Sequence, residues 1–243
     1  MRTPILPEGF VIAPSLLAAD PARMGHDAER VERAGAHCLH LDIMDGNFVP
    51  NISFGPAVVK ALRGRVKMFF DVHLMCTRPE ILLEPFKKAG ADQITVHVEL
   101  GDKVGSLLWK VRSLGCKVGL AVNPPTSMQQ VEPYLSQIDM LLVMTVNPGF
   151  GGQSFIGETL PKIQHAAARR RTLGRDFRIC VDGGVDAVTA RECARAGADM
   201  FVCGTSVFRH PNLRAAMQRI QKGIERGANQ GRSAVSADYE FSF

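Results

Sequence analysis

Two short segments carry ionisable side chains where a buried strand would normally carry none. In "HLDIMDGNFVPN" (His40–Asn51), His40, Asp42 and Met44 alternate with Leu39, Leu41 and Ile43. Successive strand residues point to opposite faces, so the aliphatic set takes one face and His40 and Asp42 share the other. In "KMFFDVHLM" from Lys67, Asp71, His73 and Met75 alternate with Val72 and Leu74 in the same way. A third segment, "FRICVDGG", ends in Asp182, in phase with Cys180 and just before Gly183 and Gly184. A single core histidine is usually hydrogen-bonded to a backbone carbonyl, and a single strand-end Asp is often a helix cap. Four such residues, His40, Asp42, His73 and Asp182, at matching places on three strands call for a shared partner. Burying ionised carboxylates without compensation costs several kcal/mol or more. Imidazole and carboxylate together suit zinc, iron(II), manganese or cobalt, so the expected partner is one divalent metal ion.

A second chemical signal is the glycine-rich "VNPGFGGQSF" (Val146–Phe155), where Gly149, Gly151 and Gly152 let backbone N–H groups approach an anion. It matches neither the P-loop nor the dinucleotide fingerprint. "DGG" and "CGTS" add Gly183, Gly184, Gly204 and Thr205 at the ends of two later strands, a place where barrels hold phosphate. A phosphorylated ligand is expected. Met44, Met75 and Met144 stand near the ends of their strands, as core filling and as a supporting apolar wall that keeps water off a reactive intermediate. His97 and Glu99 are placed to point inward, but the sequence assigns them no step.

These residues need elements to position them. Runs rich in Val, Ile, Leu and Phe begin at Phe10, Cys38, Lys67, Gln93, Lys117, Met140, Phe177 and Met200, each followed by turn residues and a helix-like segment. "RAGAHCLHL", "KAGADQITV" and "RAGADMFVC" repeat one joint, with Ala-Gly-Ala ending a helix just before a strand. Eight such units predict an α/β fold of the (β/α)8 TIM-barrel kind in a single domain over residues 1–226, with a doubly wound sheet as the rival. Absence of G-x-G-x-x-G after the first strand disfavours the rival. From Gly227, "GANQGRSAVSADYEFSF" loses apolar periodicity and is expected to be a flexible C-terminal tail (227–243) or a segment packed on a partner subunit.

Composition excludes several function classes. The chain has 243 residues, 46% apolar and 22% charged, with net charge +5. Lys and Arg are scattered apart from Arg169–Arg171, and no basic face with groove-reading elements is apparent, so nucleic acid is not an expected partner. No apolar run approaches the roughly 20 residues of a membrane span, and the first residues lack the core of a signal peptide; the protein is expected to be cytoplasmic and not membrane-bound. The six cysteines are dispersed without C-x-x-C and are expected to be buried reduced thiols.

At these motifs the chain resembles the ribulose-phosphate 3-epimerase family. "IAPSLLAAD", "HLDIMDGNFVPN", "DVHLM", "VNPGFGGQSF", "VDGGV" and "CGTSVF" occur in the family's order between about Ile12 and Phe208. The resemblance implies a (β/α)8 barrel with one divalent metal on His40, Asp42, His73 and Asp182. It implies that Asp42 and Asp182 are the catalytic acid–base pair, that Ser15 and His73 contact substrate, and that phosphate lies on Gly149, Phe150, Gly151, Gly152, Gly183, Gly184, Gly204 and Thr205. Family members often have His in place of Asn47 and Ser in place of Thr205; neither position is an expected ligand or carboxylate.

Inverting a carbon next to a ketone needs a base on one face and an acid on the other, which two opposed carboxylates provide. The expected activity is metal-dependent interconversion of D-ribulose 5-phosphate and D-xylulose 5-phosphate through an enediolate, in the pentose phosphate pathway of carbohydrate metabolism, by a homo-oligomer. Two alternatives stand beside it. One is a 3-epimerase for D-allulose 6-phosphate, using the same carboxylates; the other is a non-catalytic phosphosugar-binding barrel, which would need the glycine loops but not the four metal-binding residues together.

Overall fold

A computed structural model describes residues 4–240, with side chains as far as residue 231 in the last helix. Eight strands run parallel: β1 (Val11–Pro14), β2 (Cys38–Met44), β3 (Phe69–Met75), β4 (Gln93–His97), β5 (Lys117–Val122), β6 (Met140–Met144), β7 (Arg178–Asp182) and β8 (Met200–Cys203). From β2 to β8 each pairs with the next in chain order, and β8 returns to β1. A bridge between Ser15 and His40 links β1 to β2 and nearly closes the ring. This is the single-domain (β/α)8 barrel that the sequence predicts.

The strand alternation separates two cores. Leu39, Leu41, Ile43, Val72 and Leu74 point outward and join the large core beneath the helices. Inside the barrel, Val11, Ala13, Cys38, Phe69, Ala121, Met140, Leu142, Cys180, Met200 and Val202 pack together. This inner packing fills the lower barrel beneath the cleft at the upper end. The helices bury one stripe each: α4 (Val104–Ser113) buries Val104, Leu107, Leu108 and Val111, the i, i+3, i+4, i+7 spacing of an amphipathic helix.

The Ala-Gly-Ala joints fold as expected. Gly35, Gly90 and Gly197 adopt φ of 105°, 106° and 112°, a region other residues rarely enter, and each ends a helix so that the chain turns straight into β2, β4 or β8. Just before β4, β6 and β8 an unpredicted device recurs. Asp92, Asp139 and Asp199 accept the backbone N–H of Phe70, Val118 and Ile179, and each pairs with an arginine: Arg63, Arg112 or Arg170. All six cysteines are buried and unpaired, as expected. No helix among the described residues is long and apolar enough to cross a membrane.

Two expectations are corrected. The segment after β5 is not an α-helix but two 3-10 turns, Met128–Gln130 and Glu132–Tyr134. Pro124, Pro125 and Pro133 remove the backbone donors a longer helix there would need. Secondary structure also does not end at Gly227: α8 runs from Leu213 to Glu240, and only residues 241–243 of the expected tail lie outside the described residues. The pattern that carries it is small rather than apolar. Gly223, Gly227 and Gly231 recur every fourth residue, and a Cβ on any of them would collide with the carbonyl of Ala187, Arg191 or Arg195 on α6 (Ala187–Ala196). Glycine lets the two helix backbones approach, and Arg191 donates to Gln230 across the contact.

Gly227→Val should therefore destabilise the barrel by about 1–3 kcal/mol, the usual cost of overpacking a close contact. Urea unfolding measures it, and an unchanged midpoint would mean that α6 and α8 do not meet this closely.

Candidate active site and metal cage

β2 and β3 lie in a register that sets His40 beside Asp71, Asp42 beside His73 and Met44 beside Met75, while β6 and β7 set Met144 beside Asp182. The four residues singled out by the sequence meet at the upper end of the barrel. Asp42 Oδ1 lies 3.2 Å from both His40 Nε2 and His73 Nδ1, and Asp182 Oδ2 lies 3.8 Å and 3.9 Å from the same nitrogens. One donor atom from each of His40, Asp42, His73 and Asp182 falls within 4.8 Å of all the others.

The surroundings show what the cage is built to hold. His40 directs Nδ1 at Asp71 Oδ2, 2.9 Å away, while its Nε2 is buried without a hydrogen-bond partner and faces the two carboxylates. Asp71 also receives hydrogen bonds from Gln93 Nε2 and Thr95 Oγ1, so its direction is set from three sides. A carboxylate that fixes a histidine through one ring nitrogen and leaves the other bare is a common second layer around a metal. The donor set of two imidazoles and two carboxylates suits zinc, iron(II), manganese or cobalt. The residues present thus fit a divalent ion.

Electrostatics agree. Burial alone would lower the His40 imidazole, but the Asp42 and Asp71 carboxylates reverse this and hold its pKa well above the ordinary value. Burial pushes the Asp42 carboxyl upward, yet His40 and His73 more than offset it and keep it below the usual carboxylate range. Asp182 goes the other way: burial, with the Asp42 carboxylate beside it, pushes it up to about 7. A site that raises its imidazole and resists a second negative charge is short of positive charge.

The cleft above the cage encloses about 610 Å³ including its open mouth. Ser15, Asp42, Met44, Met75, Met144, Gly149, Phe150, Gly151, Gly152, Asp182, Gly183, Gly184, Gly204 and Thr205 line it, so the cleft gathers nearly every residue that the sequence assigned to the site. His40 and His73 do not line it; they stand behind the carboxylates at 0% exposure. Ser15 donates to Asp42 Oδ2 at 2.5 Å. Gly183 and Gly184 have φ of 119° and 63°, and side chains there would strike Val146 and Phe155, so the loops after β6 and β7 interlock only through glycine. No Lys or Arg is among the lining residues. Met44 and Met75 pack with Val49 and against Leu17 and Phe48 as a wall over the cage.

Sequence reasoning overlooked the supports. Asp71 shares a face with His73, but alternation alone does not say that it would lock His40. Ser53, which accepts from the Met44 N–H and donates to the Asp42 carbonyl, lies in a loop and carries no pattern. Asn47, one of the two departures noted above, is spent on an exposed turn around Asp45 and does not reach the cage.

Residues 11–208 match the profile of the family described as "Ribulose-phosphate 3 epimerase family". The chain belongs to the ribulose-phosphate 3-epimerase family. It is 44% identical over 216 residues to the ribulose-phosphate 3-epimerase of Synechocystis sp., covering 88% of this chain and 94% of that one. It is 40% identical over 222 residues to the ribulose-phosphate 3-epimerase of Escherichia coli, covering 91% and 99%. Among solved structures, the orotidine 5'-phosphate decarboxylase of Pyrococcus horikoshii shares the fold at TM-score 0.65 and 16% identity, covering 88% of this chain and 99% of that one.

The Asp182 environment gives a stability test. Its folded pKa of about 7 exceeds the unfolded 3.8, so the folded state holds this proton more tightly. In metal-free protein the group therefore costs stability as pH rises between those values, on the order of a few kcal/mol once ionised. In the presence of chelator, Asp182→Asn should melt several degrees above the parent at pH 8 and converge with it near pH 4; equal melting at pH 8 would contradict the crowding of charge.

Proposed function

We propose that the chain interconverts D-ribulose 5-phosphate and D-xylulose 5-phosphate by proton transfer at C3. The observation that carries this is the pair Asp42 and Asp182 at the floor of one cleft, on strands β2 and β7, both within reach of the same two imidazole nitrogens. Epimerisation next to a ketone needs acid–base groups on both faces of the carbon, since a single group tends to return the proton to the face it came from.

Asp42, oriented by the Ser15 hydroxyl, removes the C3 proton of D-ribulose 5-phosphate as general base. Asp182 returns a proton to the opposite face of the planar enediolate, and in the reverse direction the two exchange roles. His40, Asp42, His73 and Asp182 would hold one divalent cation, zinc, iron(II), manganese or cobalt. Bound there, the ion supplies positive charge where negative charge develops on the substrate oxygens. The loop Gly149–Gly152, with Gly183, Gly184, Gly204 and Thr205, binds the phosphate through backbone N–H groups, in keeping with a cleft that has no Lys or Arg. Met44, Met75 and Met144 keep water from the enediolate.

Turnover of D-ribulose 5-phosphate and of D-allulose 6-phosphate, on chelated enzyme before and after metal is restored, tests the proposal. Activity that returns with metal and prefers the pentose is expected, and Asp42→Asn or Asp182→Asn should each lower it by roughly 10²–10⁴-fold. A hexulose preference would overturn the substrate. Absence of turnover under every metal would favour a non-catalytic binding barrel.

A further inference from the structure

Two polar residues beside the cage, the buried His97 and the partly buried Glu99, have no part in the proposed chemistry. His73 turns Nδ1 towards Asp42 and Asp182, and its opposite nitrogen, Nε2, lies 2.8 Å from His97 Nε2. His97 Nδ1 in turn lies 3.0 Å from Glu99 Oε2. The other Glu99 oxygen accepts the Asn123 N–H at 2.8 Å. That loop is itself held by Lys162, whose ammonium donates to the carbonyls of Asn123 and Thr126. His73 and His97 are both fully buried, and the Phe48 ring packs on His97 with centroids 4.7 Å apart, so water has little access to replace a partner in this row.

The row has a direction. A carboxylate only accepts, so His97 donates its Nδ1–H to Glu99. A 2.8 Å contact between two ring nitrogens holds one proton, and with His73 Nδ1 turned to the cage that proton belongs to His73, so His97 Nε2 is bare. That bare nitrogen faces His73 Nε2 at hydrogen-bond distance and accepts the Nε2–H of His73. His73 is left with a proton on the side away from the cage.

We propose that Glu99, acting through His97, is the positioning residue that keeps the His73 proton on Nε2 and frees Nδ1 for the metal cage. The inference rests on the metal reading of the cage given above. It makes the two histidine arms equivalent by different means. His40 is held directly by Asp71, whereas His73 presents its other ring nitrogen to the cage and needs His97 as an extension to reach a carboxylate.

Glu99→Gln tests the direction of the row. Because the Asn123 N–H claims the glutamine oxygen, the amide NH2 faces His97 and donates to it, which reverses the row and favours a proton on His73 Nδ1. Zinc affinity of the full chain, measured by chelator competition, should fall by about 10- to 100-fold, as for other supports of metal ligands. Unchanged affinity would overturn the proposal. Nitrogen-15 imidazole spectra of the zinc-loaded parent give a readout that does not depend on the variant folding: a proton on His97 Nδ1 is expected, and one on Nε2 would overturn the assignment. Failure of the parent to bind zinc would overturn the cage and this inference together. A parent that binds zinc with the expected tautomer but does not turn over D-ribulose 5-phosphate would overturn the proposed activity alone.

Discussion

Two carboxylates and two imidazoles share one buried barrel mouth, and the electrostatic cost of that crowding explains most of what surrounds it. Asp42 and Asp182 cannot both be comfortably ionised so close together away from water, which is why burial and the neighbouring charge push Asp182 up to about 7 while His40 is drawn upward. The same crowding makes the mouth attractive to a divalent cation. Stability and chemistry therefore pull against each other here, and the barrel can tolerate the conflict because its strands are anchored elsewhere. The outward faces of β2 and β3 are wholly apolar, and Asp92, Asp139 and Asp199 tie strand N–H groups and arginines together at the opposite end.

Division of labour by strand face follows from this. Each strand that supplies a cage residue spends one face on the hydrophobic core, and on β2 and β3 the other face runs from one apolar residue through two polar ones to a methionine. Cys38 on β2 and Phe69 on β3 belong to the inner apolar plug, whereas His40, Asp42, Asp71 and His73 above them form the cage and its support. Methionines close the layer over the charges. The charge of the cleft is also divided. Its floor is anionic, its upper wall is made of glycine backbone, and no cationic side chain lines it.

Much of this was legible in the sequence because strand alternation has a fixed period. His40, Asp42 and His73 could be assigned to one interior from spacing alone, and the three Ala-Gly-Ala joints marked where helices stop. What spacing does not encode is which polar neighbour completes a contact. Asp71 lies in phase with His73 yet serves His40 on the adjacent strand, a relation fixed by register between strands. Glu99 reaches the cage only through His97. Helix α8 was hidden for a different reason: beyond Ile224 its repeating contact is made by glycines, which an apolar-periodicity pattern does not register. The absence of an α-helix after β5 follows from its prolines, which the regular spacing of the eight apolar runs does not register.

The central claim is that Asp42 and Asp182 serve opposite faces of one carbon. Solvent exchange at C3 tests it most directly, with metal-loaded variants incubated in D2O and each epimer followed separately by NMR. Asp182→Asn should place deuterium in D-ribulose 5-phosphate without converting it, because Asp42 still removes that proton and, after exchange with D2O, returns a deuteron to the same face. Asp42→Asn should label only D-xylulose 5-phosphate. A single variant that labels both epimers would contradict the account, since one carboxylate would then be reaching both faces.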